Sequence, residues 1–295
     1  MPRPFRFAVN MIGFADGRHF RDRCRLAEQR GYDAILVPDH LGMPAPFPAL
    51  VAAAQVTERA RLGTFVLNAG FWNPALLARE AATCDQLTGG RLELGLGAGY
   101  MKDEHDAAGL PFASPGGRVA HLEHTVVEVR RLLADPGQEP GPLQEKVPVV
   151  LGGNGGRVLR LAAREADIMA FTGARQAPGK PEGTLELISP SELERRTSAF
   201  RDLAAEEGRT VELNYLVQLV ADAPDRRAKA GELAPYAPDL SERELLEHPA
   251  LLLGSPKEMA EQLRAHRERF GLSYFTVLDK NLEAFAPVIE ELAGG

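Results

Sequence analysis

The sequence predicts an α/β protein, a single (β/α)8 TIM barrel with insertions after strands 4, 6 and 7. Three observations predict it. Short apolar, β-branched runs alternate with amphipathic helical stretches along 295 residues, and buried strands joined by helices imply a parallel sheet. The length suits one barrel of roughly 250 residues plus insertions, and no low-complexity linker divides residues 1–295, so one domain is expected. No half-chain repeat suggests the switch point of a doubly wound open sheet.

The elements follow in order. Phe5 to Met11 reads as the first strand, and His19 to Arg30 as a helix with Cys24, Leu26 and Ala27 inward. Asp33 to Pro38 is the second strand, ending in Asp39-His40, and Phe47 to Arg59 the next helix. Leu62 to Leu67 is a short buried strand. Pro74 opens a helix, where its missing N–H costs nothing, and Thr88-Gly89-Gly90 stops it. Leu92 to Leu96 is the fourth strand, with Gly95, Gly97 and Gly99 letting backbone approach something flat or anionic. Residues 97–117 form a long loop before a helix over Val119 to Leu133. Val147 to Leu151 is strand five, a glycine-rich turn and a helix from Arg157 follow, and Asp167 to Phe171 is strand six. Residues 173–190, rich in Pro and Gly, read as an active-site lid or excursion. A helix over Ser191 to Glu207 leads to strand seven, Val211 to Val220; residues 221–250 read as an insertion or broken helix. Ser255 to Arg269 is the last helix expected and Tyr274 to Leu278 the eighth strand.

Composition removes several functions. The net charge is −7 with acids and bases scattered, which leaves no basic patch for nucleic acid. No apolar run approaches the ~20 residues of a membrane span. The first residues, MPRPFRFAVNM, lack the apolar core of a signal peptide, so a cytoplasmic protein is expected, with Cys24 and Cys84 as buried free thiols. His121, His124, His248 and His266 show no metal-ligand spacing with acids, and no metal is expected; His121 and His124 read as a solvated helix flank. No nucleophile elbow, catalytic carboxylate pair or Cys/His site is present. A small-molecule substrate is the expected partner, and a homodimer is compatible with the reading.

Barrel enzymes work at the C-terminal ends of their strands. That rule selects Asn10 and Met11, Asp39 and His40, Asn68 and Ala69, Gly97 to Tyr100, Gly152 to Arg157, Thr172 and Asp279. Asp39-His40 follows the apolar run AILV, and a histidine so placed can give or take a proton near neutral pH, although a histidine there can also cap a loop. Gly152-Gly153-Asn154-Gly155-Gly156 lies between a strand and a helix, where unhindered N–H groups bind anions. It matches neither GxxxxGK[ST] nor GxGxxG, so it is neither a Walker loop nor a Rossmann site. Arg157 either adds charge there or points to solvent.

The segments RLGTFVLN, NPALLAREAATCDQLTGGR and LELGLGAGYMKDEHDAAGLPF resemble the luciferase-like monooxygenase superfamily, and within it the branch that uses the deazaflavin F420. VPDH at 37–40, PVVLGGNGGRVLRLAAREADIMAF at 148–171 and GSPKEMAEQLRAHRERFGLSYFTVL at 254–278 match as well. The resemblance implies that His40 sits at the deazaflavin face as proton donor or acceptor, and that Asp39 helps hold the ring system. It implies a bulge with a non-prolyl cis peptide at Asn68-Ala69, beneath the ring. It implies that Gly152, Gly153, Asn154, Gly155 and Gly156 hold the cofactor phosphate, with Arg157 adding charge and with Gly97, Gly99 and Tyr100 completing the cofactor site. Tyr100 fills a position where the sugar-phosphate dehydrogenases of the superfamily carry a Glu proton donor, which argues against sugar-phosphate oxidation. Glu104 matches an acid frequent in the family and equally suits a surface ion pair. Trp72 walls the pocket or packs at the surface.

Three functions are then in competition. The first is an F420-dependent oxidoreductase transferring a hydride between the deazaflavin C5 and a small organic substrate. The second is an FMN-dependent monooxygenase of the same fold that activates oxygen. The third is a non-catalytic flavin-fold subunit, against which the intact glycine-rich loop and Asp39-His40 count. Residues 100–117, 172–190 and 221–250, which would choose the substrate, are those least like the family.

Overall fold

The computed structural model describes residues 3–177, 179 and 184–293. Its centre is a closed parallel barrel. The eight barrel strands are β1 (Arg6–Asn10), β2 (Ala34–Val37), β3 (Arg61–Thr64, resuming at Leu67–Asn68), β4 (Leu92–Gly97), β5 (Val149–Gly152), β6 (Ile168–Phe171), β7 (Glu212–Val217) and β8 (Tyr274–Leu278). β1 pairs in parallel with both β2 and β8, and β3 with both β2 and β4, which closes the ring.

Around it run α1 (Gly17–Gln29), α2 (Pro46–Ala54), α3 (Pro74–Leu87), α4 (Lys102–Ala108), α5 (Pro115–Leu133), α6 (Gly156–Glu165), α7 (Pro190–Glu206), α8 (Arg226–Leu233), α9 (Glu242–Leu246), α10 (Pro256–Phe270) and α11 (Leu282–Ala293). Local chemistry sets their ends. Asn73 accepts from the N–H groups of Ala75 and Leu76 in front of Pro74, and Ser255 with Glu258 forms a reciprocal capping box on α10. The apolar residues divide in two. Ala8, Ala34, Leu36, Val150, Ile168, Ala170 and Tyr274 fill the barrel, while a larger cluster, with Cys24 and Cys84 in it, lies between strands and helices. Burial pushes both thiols up to about 12, so they are inert core residues, as expected.

The three expected insertions are present. The one after β4 contains α4, which the sequence reading took as loop; after β6 a hairpin pairs Ala174–Gln176 with Leu185–Leu187, and positions 178 and 180–183 of the expected lid lie outside the described residues. After β7 come α8 and α9, bracketed by a two-stranded sheet of Leu219–Ala221 and Leu251–Leu253; the expected continuous strand to Val220 is broken at Gln218. α11 was not expected at all. Among the described residues, no helix is long and apolar enough to cross a membrane.

One end of the barrel is sealed by charge. Arg6 reaches Glu93 at 2.6 Å and Glu212 at 2.7 Å, lies 4.2 Å from the centre of the Tyr274 ring, and shares Glu93 with Arg61. These groups sit at the starts of the strands, so the chemistry is left to the other end.

At that end β3 is irregular. Gly63 faces Glu93 and Leu67 faces Leu96, so β3 spends one residue more than β4 between the two pairings, a bulge. The bulge carries the cis peptide, Phe65-Val66. The expected position, Asn68-Ala69, is therefore wrong by three residues: Asn68 already pairs with Gly97 in the resumed ladder. Thr64 replaces the missing ladder bonds, its Oγ1 accepting from Gly95 N–H and donating to Gly95 O, both at 2.8 Å. A Cβ at Gly95 would overlap the Thr64 carbonyl, and one at Gly97 would lie 2.8 Å from Val66 Cγ2. Glycine is thus required on β4 because the bulge crosses over it.

Candidate functional site

The loop after β2 begins the site. Val37 ends the buried strand, Pro38 keeps the chain extended, and Asp39 and His40 emerge at the mouth. Asp39 Oδ2 accepts from the Asn68 backbone N–H at 3.1 Å and from Trp72 Nε1–H at 3.3 Å. Asp39 stands at the end of β2, as expected, and ties it to the turn after β3, a link the sequence did not announce. Burial pushes its carboxyl above the ordinary value, with the Trp72 and Asn68 donors and the neighbouring His40 working in the opposite direction. Trp72, half-buried and edge-on to Phe47 with ring centres 5.5 Å apart, is an anchor for Asp39.

Asn68 is the hub of the next turn. Its Oδ1 accepts from Gly70 N–H at 3.0 Å, and its Nδ2 lies 3.0 Å from His105 Nε2. His105 Nδ1 lies 3.1 Å from the Pro111 carbonyl, which only accepts, so Nδ1 carries the proton and Nε2 receives one from Asn68. Buried His105 pins α4 across the mouth, and His121 Nε2 reaches the Ala69 carbonyl at 3.0 Å. His121 is exposed, in keeping with its reading as a solvated helix flank, and this contact adds to that reading.

α4 delivers the partner of His40. Glu104 Oε1 lies 2.8 Å from His40 Nδ1, and Glu104 is the better buried of the two. An ionised carboxylate only accepts, so Nδ1 is the protonated nitrogen and Nε2 is left to accept or return a proton. Tyr100 stands edge-on to His40 with ring centres 6.0 Å apart; burial, then the Glu104 charge, pushes its phenol above the ordinary value. Gly99, at a φ of +71°, lies so near Asn68 that a Cβ there would overlap its side-chain amide. Its carbonyl accepts from Arg118 Nε at 3.1 Å, and the Arg118 guanidinium lies 4.1 Å from the centre of the Phe112 ring.

The glycine-rich loop borders the same opening. A Cβ at Gly152 would lie 3.2 Å from Val66 Cγ2, so Gly97 and Gly152 flank the same bulge side chain. Gly153 turns at a φ of +150°, and Gly155 stands at the N-cap of α6 without a side-chain hydrogen bond, leaving the first N–H groups of the helix without a side-chain acceptor. Asn154 does more than line the loop: its Nδ2 donates to Thr172 Oγ1 at 2.7 Å and to the Ala174 carbonyl at 2.8 Å, fastening loop and hairpin together. Its Oδ1 is buried without a partner among the described residues, as is that of Asn10 at the end of β1. Arg157 turns away to the Gly116 carbonyl at 3.0 Å, whereas Arg196 of α7 reaches the Asn154 carbonyl at 3.4 Å. Asp279, also selected as a strand end, accepts from Gly13 N–H at 2.9 Å and joins two loops.

The structure thus sets two groups side by side at the mouth, Asp39 bonded to Asn68 with Ala69 and Gly99 adjoining, and His40 bonded to Glu104 with Tyr100 against its ring, and sets Gly97 and Gly152 to Gly156 beside them. Val66, His105, Arg118 and Arg196 were missed, as was the contact of His121 with Ala69. Only the run of small residues opposite Val66 carried a signal, since Gly95, Gly97 and Gly152 must make room for something.

The comparisons agree with this architecture. The luciferase-like monooxygenase family profile matches residues 6–274. An F420-dependent glucose-6-phosphate dehydrogenase of Intrasporangium calvum is 32% identical over 51% of this chain and 52% of its own, and one of Beutenbergia cavernae is 37% identical over 37% of this chain and 35% of its own. The chain therefore spans about half the length, or less, of these curated relatives. Among solved structures, an F420-dependent secondary alcohol dehydrogenase in complex with an F420-acetone adduct superposes with a TM-score of 0.77 at 19% identity, covering 98% of this chain and 99% of the other. A monooxygenase of Streptomyces bottropensis superposes with a TM-score of 0.73 at 23% identity, covering 98% of each. With a barrel of this kind, a bulged third strand and a family match over nearly the whole length, this chain belongs to the luciferase-like monooxygenase family.

Proposed function

We propose that this protein is an F420-dependent oxidoreductase acting on a small organic substrate, with His40 giving or taking the proton. The deazaflavin, when bound, exchanges a hydride at its C5 with that substrate. The carrying observation is the His40–Glu104 pair at the barrel mouth, 2.8 Å apart. Glu104 fixes the ring and its tautomer, so Nε2 meets the substrate as a general acid or base. Asp39, held by Asn68 and Trp72, keeps His40's loop in place.

The residues fit the cofactor. Half-buried Val66, flanked by Gly97 and Gly152, offers a flat apolar floor for a planar ring. The loop from Gly152 to Gly156 presents backbone N–H groups at the start of α6 for a phosphate. Asn154 carries a buried Oδ1 still open to a donor. The two matched relatives named as F420-dependent dehydrogenases support the same reading. Tyr100, in place of a carboxylic acid, speaks against a sugar phosphate as substrate.

The test is anaerobic. Purified protein titrated separately with F420 and FMN should bind F420, and reduced or oxidised F420 should change redox state with a panel of small alcohols, ketones and enones without consuming oxygen. Tight FMN binding with none of F420, or strict dependence on oxygen, would replace the proposal with an FMN monooxygenase.

A further inference from the structure

A second opening lies away from the barrel mouth. It is a cleft of about 590 Å³ between α8, α9 and α10, continued along α10 by a neighbouring hollow of about 470 Å³. None of its lining residues belongs to the site described above.

Three buried polar atoms of residues that line it have no hydrogen-bond partner among the described residues: Arg226 Nε, Gln262 Oε1 and His266 Nε2. Gln262 and His266 are 8% and 4% exposed, so each is more than nine-tenths buried, and both line the hollow. Gln262 is held rigidly, its Nε2 donating to Leu253 O at 2.8 Å and to Glu258 O at 3.2 Å, so that Oε1 is the atom left over. A buried donor and a buried acceptor that find no partner each carry a desolvation cost, and three in one cleft mark a surface shaped for a ligand's polar atoms.

Charge narrows the ligand. Four arginines and four carboxylates line the two hollows, so the wall is neutral overall and carries both signs. A bare anion or cation would face as much repulsion as attraction. Arg226 requires an acceptor, while Gln262 Oε1, with Glu258 and Glu261 on the same helix, requires a donor. Leu246 and Ala265 add a small apolar surface.

We infer that this cleft binds a small zwitterion of the aliphatic α-amino acid class, its carboxylate on Arg226 and its ammonium group toward Gln262 and Glu261. The site is independent of the cofactor reading, because it shares no residue with the mouth.

Calorimetric titration of the purified chain, with and without F420, tests it. L-leucine is the probe, and propionate and n-butylamine carry its two charges separately. Leucine should bind in both states, and each single-charge control at least roughly tenfold more weakly. Arg226→Met keeps the stem that packs on Gly254 and should weaken leucine roughly tenfold. Ala265→Phe fills the cleft without removing a native bond and should abolish binding, which serves if the arginine variant fails to fold. No binding of leucine, binding of the single-charge controls as tight as leucine's, or unchanged leucine binding in Ala265→Phe would overturn the assignment.

Discussion

Glu104 Oε1 and His40 Nδ1 stand 2.8 Å apart although 64 residues separate them. The contact is made because His105, the next residue along, is fastened to Asn68 and brings α4 over the mouth. The His40 contact and the anchoring of α4 are thereby made by adjacent residues of one helix.

Substitution at either member of the pair should act on turnover. His40→Ala is expected to bind F420 nearly as well as the parent and to slow turnover by about 10²–10⁴. Glu104→Gln leaves an acceptor but removes the charge, and should cost about tenfold or more in kcat with little change in cofactor KM. Parental kcat in both variants would remove the pair from the mechanism.

The second prediction concerns Gly99. A methyl group there would overlap the Asn68 amide, and the positive φ of +71° disfavours any side chain. Gly99→Ala should displace Asn68 and with it His105 and Ala69, lowering stability by about 1–3 kcal/mol and weakening F420 binding, both read in one denaturation and titration series. Unchanged values for both would show that the hub is not rigid.

The third separates charge from shape in the glycine-rich loop. Gly153 is a poor test position, because its φ of +150° and a Cβ 3.0 Å from Val158 Cγ1 would disturb the backbone. Gly155 has an ordinary φ of −77°, and nothing lies within 4 Å of its Cβ. Gly155→Asp should therefore fold normally, as an N-cap Asp often does, yet place a carboxylate where a phosphate would bind. Like charges so close cost several kcal/mol, so F420 affinity should fall sharply while Tm holds or rises. Undiminished affinity would move the phosphate elsewhere.

Much of this was legible in the sequence, for physical reasons. Eight strands and most helices declare themselves by period and by their caps, as Pro74 and Ser255-Pro256 do. Asp39, His40, Asn68 and Gly152 stand at strand ends, and barrel topology sends strand ends to the mouth. The bulge was expected at Asn68-Ala69, and its true position at Phe65-Val66 escaped because RLGTFVLN reads as one strand-forming run whichever bond is cis. Glu104 was singled out but its pairing with His40 was not, and His105 and Arg196 escaped, because these roles depend on contacts across distant sequence. α4 was hidden for a related reason: Met101 provides no side-chain cap, and only seven residues follow.

The last prediction concerns acid. His248 and His266 are buried, and burial lowers their folded-state values to about 4 and about 3. His248 receives an N–H from Ala250 and contacts the Ile188 carbonyl, with Glu244 the nearby acid; His266 faces His248, Arg269, Arg226 and Glu247. Both folded values lie below the ~6.5 of an exposed histidine. The unfolded chain therefore takes up protons that the folded one refuses, and stability falls as pH drops below about 6.5 and levels off only near the folded values. Linkage puts the loss near 2 kcal/mol for each histidine between pH 7.5 and pH 5. His266→Leu should leave stability at pH 7.5 within about 1 kcal/mol and remove one histidine's share of the acid slope, measured as urea-derived ΔG at the two pH values. An unaltered slope in that variant would mean that His266 takes up its proton as readily in the folded chain as in the unfolded one, and that burial does not lower it.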